Sequence, residues 1–130
     1  MNKSEKIKYW VEISDYDLET AKAMFKTKRY LYVGFMCHQA VEKILKALFS
    51  KSKNATPPYI HNLIRLSEQS GILTELNKSQ LSLLDSLQPL NIQARYPSYK
   101  EKIYKMLNRK NTTNLLKDTT EFIQWIKKKL

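Results

Sequence analysis

Two faces are written into one stretch of the chain, Gln39-Ala40-Val41-Glu42-Lys43-Ile44-Leu45-Lys46. Val41, Ile44, Leu45 and Leu48 recur at i, i+3, i+4 and i+7, the spacing of a helix's core-facing stripe. Gln39, Glu42, Lys43 and Lys46 repeat that spacing on a second, polar face, where side chains three and four apart stack on one side. By itself such a face is a solvated one, carrying pairs such as Glu42 with Lys46 worth about 0.2–0.5 kcal/mol each.

The same period recurs on either side. Ser4 with Glu5 is a helix start, and Ile7, Val11, Ser14, Leu18, Ala21 and Phe25 continue one face, widened by Trp10, Ile13 and Met24. Asp17 falls at the edge of that stripe, placed to meet a basic group from a neighbouring helix. After a polar break at Thr27-Lys28-Arg29, a second helix is predicted from Arg29 or Tyr30 to Lys51. Adjacent prolines, Pro57-Pro58, end it in a loop. His61-Asn62 opens a short third helix that stops at Gly71. Asn77 or Ser79 caps a fourth, holding Leu81, Leu83, Leu84 and Leu87 and ending before Pro89. The connector Asn91–Pro97 is expected to be extended at Tyr96, which precedes a proline. A short basic helix follows from Lys100 to Leu107. Asn111 or Thr112 caps the last one, whose stripe is Leu115, Thr119, Phe122, Ile123, Ile126 and Leu130. The pattern predicts an all-α fold: an antiparallel bundle of four main helices plus one or two short ones, in a single domain over 1–130.

Composition agrees and adds one fact. At 130 residues, with 42% hydrophobic and 27% charged residues, the chain has a globular balance and the length of one domain. Two glycines and four prolines are too few for the turns of a sheet-rich fold. The single cysteine, Cys37, allows no internal disulfide, and the polar start Met-Asn-Lys-Ser-Glu-Lys carries no signal peptide. No run of eighteen apolar residues occurs, so no membrane span is expected, and a reducing, cytoplasmic setting follows. The fact composition adds is charge: 23 Lys and Arg against 12 Asp and Glu leave +11, an excess that attracts polyanions.

Several chemistries are excluded. One cysteine and two histidines cannot furnish a four-ligand zinc site, and there is no Gly-rich phosphate loop. Neither a metal nor any other cofactor is expected. Cys37 and His38 are not a nucleophile–base pair, since adjacent helical residues do not face one another. His38 shares the face of Val41 and Leu45 as a core-edge histidine, and Cys37 is a small buried hydrophobe. The Lys127-Lys128-Lys129 run offsets the carbonyl end of the last helix. Tyr96, Tyr99 and Tyr104, near Lys100, Lys102 and Lys105, are weaker candidates for stacking on bases. His61, just past the double proline, is a helix cap, a surface residue or a functional one, and Arg95, stiffened by Tyr96 and Pro97, is a solvated loop residue or a functional one.

The order of these features resembles the HEPN domain, the helical nucleotide-binding module of higher eukaryotes and prokaryotes. The matching residues are Trp10, Asp17-Leu18 and Ala21, then Tyr30 and Phe35. They continue with Gln39-Ala40-Val41-Glu42-Lys43, Leu45-Lys46-Ala47-Leu48, His61 with Leu63 and Leu66, and Arg95-Tyr96-Pro97. The resemblance implies a helical bundle, commonly a homodimer. It also implies a minimal nucleotidyltransferase as partner in a toxin–antitoxin-like pair. Many members are metal-independent ribonucleases whose signature is Arg-x4-6-His at a dimer cleft. This chain departs from that pattern: at those spacings Arg95 is followed by Lys100, Glu101 and Lys102, and no histidine follows His61.

The reading that results is a module binding a nucleotide or RNA phosphate. Its site comprises Asp17, Gln39, Glu42, Lys43, Lys46, His61, Arg95 and Tyr96, with Asp17 and Glu42 orienting the basic groups. The alternative is a ribonuclease in which His61 replaces the missing histidine and Arg95 stabilises charge on phosphorus. A third, structural reading makes Asp17, Glu42, Lys46 and Arg95 a polar network that fixes helix register.

Overall fold

The computed structural model describes residues 1–91 and 97–130, with the backbone but not the side chains of 97–100. Two long helices form the frame. α1 spans Lys3–Lys26 and α2 spans Tyr30–Lys53, 24 residues each. α1 starts earlier than the sequence suggests: Asn2, not Ser4, is the N-cap, its side-chain oxygen accepting from the Glu5 amide at 2.8 Å. Between the helices the chain reverses through Lys28 at φ 61, and the Arg29 amide donates to the Met24 carbonyl at 2.8 Å. The hairpin is antiparallel: Trp10 lies beside Lys46, and four residues further along α1 the Ser14 hydroxyl donates to the Ala40 carbonyl at 2.7 Å.

α2 is the axis of the molecule. Its buried residues run all round it, from Leu31 and Val33 through Cys37, Ala40, Val41, Ile44, Leu45 and Leu48 to Ser50. A helix buried on every side needs neighbours on every side. α1, α3 (Leu63–Gln69), α4 (Lys78–Leu87), α5 (Pro97–Met106) and α6 (Arg109–Lys127) all pack on it. Gly34 permits one of these contacts: a Cβ there would lie 2.9 Å from Leu90 Cδ1 and 3.0 Å from Leu107 Cδ1. α2 ends at Asn54, whose φ of 47 is the left-handed cap that lets the chain turn into the proline loop.

The remaining helices are set by their caps. Asn62 caps α3, accepting from the Arg65 amide at 3.0 Å, and Gly71 at φ 82 lets the chain leave it. Asn77 and Gln80 form a reciprocal capping box on α4. A short 3₁₀ turn at Gln88–Leu90 carries Pro89 past the helix end. α6 begins earlier than an Asn111 or Thr112 cap would allow, because Asn108 supplies the cap. Asn111 instead sends its side-chain amide back to the Met106 carbonyl at 2.8 Å, tying α6 to α5. α5 likewise begins at Pro97 rather than Lys100. The stripe of α6 is buried at Leu115, Thr119, Phe122, Ile123 and Ile126. The described residues form helices and no strand, and the all-α bundle expected from the sequence is the fold observed. None of these helices is long and apolar enough to cross a membrane.

Candidate functional site

The polar face of α2 is not solvated. The Glu42 side chain is 1% exposed and that of Lys46 only 6%. A lone charge at such depth would be costly, and four basic groups surround Glu42. Its Oε1 accepts from His61 Nδ1 at 2.9 Å and lies 3.9 Å from His38 Nδ1. Its Oε2 accepts from Lys46 Nζ at 3.1 Å and is 3.7 Å from Lys43 Nζ. Burial pushes the carboxyl towards protonation. The hydrogen bond from His61 and the charges of Lys46 and Lys43 outweigh it and hold the group below the usual carboxylate range. Glu42 is therefore ionised at neutral pH.

That fixes His61. An ionised carboxylate only accepts, so Nδ1 carries the proton facing it, and in the neutral ring Nε2 keeps its lone pair. The His61 side chain is 47% exposed, so Glu42 anchors the ring from below while its upper part meets solvent. Gln88 holds the backbone on both sides: its Oε1 accepts from the Leu63 amide at 2.8 Å and its Nε2 donates to the His61 carbonyl at 3.3 Å.

Lys43 is the second group near the surface. Its ammonium donates to Gln39 Oε1 at 2.8 Å and lies 3.9 Å from Asp17 Oδ2. Gln39 in turn donates to Asn91 Oδ1 at 2.7 Å. Burial raises the Asp17 carboxyl above its usual range against the pull of Lys43. Lys46 has a different environment: Trp10 of α1 lies 5.4 Å from its ammonium and Tyr59 of the proline loop 5.9 Å, both as ring centroids.

Asp17, Gln39, Glu42, Lys43, Lys46 and His61 are thus brought into one cluster, from α1, α2 and the loop before α3. Arg95 and Tyr96 lie outside the described residues. Trp10, Tyr59, Gln88 and Asn91 join the cluster although the sequence pattern does not assign them to it. By spacing Trp10 belongs to the core stripe of α1, and the position of Tyr59 two residues before His61 is the only signal it gives. His38 also needs correction: it is fully buried rather than at the core edge. Burial pushes it down to about 4, against the opposing pull of Glu42 and of the His61 backbone, so it is neutral near pH 7. Of the basic run at the C-terminus, Lys127 pairs with Asp15 at 2.5 Å and Lys129 with Glu75 at 3.0 Å.

A groove of about 370 Å³ between α4 and α6 has Leu83, Leu107 and Leu115 in its lining, but Asp118 is its only charged group among the described residues. It lacks the cationic donors of the cluster. Among the described residues no group of three or more His, Cys, Asp and Glu is arranged to hold a metal ion. The chemistry available is that of an imidazole oriented by a buried carboxylate, with an ammonium beside it.

An all-helical bundle whose central helix buries a carboxylate that anchors a half-exposed imidazole from the loop before α3 is the class the structure defines. The HEPN domain family model matches residues 7–130, and the chain belongs to that family. The crystal structure of TT1696 from Thermus thermophilus is similar over the whole of both chains, with a TM-score of 0.80 at 18% identity. That of ST0689, an archaeal HEPN homologue, is similar over 95% of this chain and 97% of its own, with a TM-score of 0.64 at 18% identity. No curated protein matches the chain. The family match supports a helical nucleotide-binding or ribonuclease-like module, and the two solved structures share its fold.

Proposed function

We propose that this HEPN domain binds the phosphate of a nucleotide or of RNA at the Glu42 cluster. The observation that carries the reading is the division of labour among the charges. Glu42 and Lys46 are buried against each other, whereas His61 is half exposed and Lys43 lies near the surface. The buried pair orients; Lys43 faces the ligand as a hydrogen-bond donor, and the His61 ring, when it carries a second proton, donates to it through Nε2. Arg95 is given the same role, since it follows Asn91 by four residues and Asn91 is held by Gln39. Tyr96 is assigned to the same site. The net charge of +11 draws the polyanion in.

The direct test titrates nucleotides and short RNAs against the wild type, His61→Ala and Arg95→Ala. Loss of affinity in both variants is expected. Unchanged affinity in both, or no binding by the wild type, overturns the assignment. We assign the module a homodimeric state and a minimal nucleotidyltransferase as partner in a toxin–antitoxin-like pair. Co-expression with the adjacent reading frame, followed by co-purification, tests that partnership.

One observation favours a second reading, metal-independent RNA cleavage. The 2.9 Å Glu42–His61 contact is the arrangement that orients an imidazole for general acid–base work. Digestion of RNA in excess chelator, with His61→Ala as control, decides it. Cutting retained in the control rules the mechanism out.

A further inference from the structure

Tyr59 is 93% exposed, and burial gives it nothing. Its position is nevertheless built. The Ile60 amide donates to the Pro58 carbonyl at 2.9 Å, which closes a three-residue turn with Tyr59 at its apex. Ile60 packs against the core, and Pro57 and Pro58 stiffen the approach. The turn therefore holds the Tyr59 ring outward on a short, anchored strut. The ring meets His61 edge-on at 5.8 Å between centroids and lies 5.9 Å from the Lys46 ammonium. Beyond Lys46 the aromatic surface continues through Trp10 to Tyr9, which is 44% exposed and edge-on to Trp10 at 5.1 Å.

Aromatic rings beside phosphate-binding cations are what unpaired bases require, since every base has a π-face that a ring can take. We propose that Tyr59 is a base-stacking platform and that the ligand of the cluster is single-stranded RNA, one base lying on Tyr59 while its phosphate meets His61 and Lys43. The Tyr59 and His61 rings are separated by a distance that a single nucleotide bridges. Tyr9 extends the surface for a neighbouring base. A duplex cannot use the platform, because its bases are already stacked and paired. The inference rests on the phosphate-binding reading and adds to it a base and a strand.

The test is fluorescence anisotropy with two labelled oligonucleotides of equal length, one of adenosines and one abasic, against wild type, Tyr59→Phe and Tyr59→Leu. Tyr59 is so exposed that neither substitution threatens folding. The wild type should hold the adenosine strand on the order of tenfold more tightly than the abasic one, and Tyr59→Leu should lose that preference. Tyr59→Phe should keep it. Equal affinity for both strands, or an unaltered preference in Tyr59→Leu, overturns the platform while leaving the phosphate site standing. Failure of the wild type to bind either strand overturns both. Adenosine monophosphate competing as well as the strand, mole for mole, would sink the assignment to RNA.

Discussion

His38 offers a measurement dominated by burial. The side chain is fully enclosed on α2 beneath Glu42, and its pKa falls from 6.5 to about 4. The folded protein therefore prefers neutral His38, whereas the unfolded chain takes up a proton below about pH 6.5. A base depressed in the folded state contributes stability that is fully present above the unfolded value. That stability falls away as the pH drops through 6.5 towards 4, because there the unfolded state binds more protons. The full shift corresponds to about 3 kcal/mol, and linkage places about 2 kcal/mol of it between pH 7 and pH 5. Urea denaturation at pH 7, 6 and 5 should show the midpoint moving down by on the order of 1 M across that range. In His38→Leu, which fills the site without titrating, this slope should largely vanish even if the variant is less stable at pH 7. The His38 ring protons, followed by NMR, should keep the neutral shift down to pH 5. A wild-type profile flat from pH 7 to pH 5, or a slope unchanged in His38→Leu, would refute the account.

Other perturbations follow from the same packing. Glu42→Ala leaves the Lys46 ammonium buried without its carboxylate and should cost about 3–5 kcal/mol by chemical denaturation; Glu42→Leu with Lys46→Leu should recover much of it. Gly34→Val drives methyl groups into Leu90 and Leu107 and should cost at least about 1–3 kcal/mol in the same assay. Asn108→Ala removes the N-cap of α6 and should lower stability by about 1 kcal/mol, while Thr112→Ala should leave that cap intact. Cys37 is fully buried with its thiol pushed up to about 12, so a thiol reagent should label it only after unfolding.

Much of this architecture is legible from periodicity. The buried stripes of α2 and α6 are those that the i, i+3, i+4 spacing marks, and the double proline ends α2 near the expected place. Helix starts are less legible, for a definite reason. Ser4, Asn108, Asn111 and Thr112 are all residues that cap well, and only tertiary contacts choose among them: Asn111 is engaged with Met106 and so leaves the cap to Asn108. Of the candidate site, Asp17, Gln39, Glu42, Lys43 and Lys46 are legible because they share a helix face or border it. Depth is not legible. Nothing in the spacing distinguishes a solvated Glu42–Lys46 pair from one buried beside Trp10 of α1. Gln88 is invisible to pattern because its hydrogen bonds reach 25 and 27 positions back along the chain.

That depth changes what the cluster can tolerate. With His61 neutral, the two acids Asp17 and Glu42 are matched by Lys43 and Lys46, so the described part of the site carries no net charge. An arriving phosphate would then gain little from Coulomb attraction unless a further cation contributed. The proposed site offers two: His61 on protonation, and Arg95. Protonating His61 also strengthens its bond to Glu42, which is already ionised, so binding an anion and charging His61 favour each other. Glutamine at position 61 cannot supply that charge, so affinity for a phosphate ligand should fall in His61→Gln, measured at constant pH and ionic strength. Affinity unchanged in His61→Gln would mean that Lys43 and Arg95 alone hold the anion, leaving the Glu42–His61 contact a structural one.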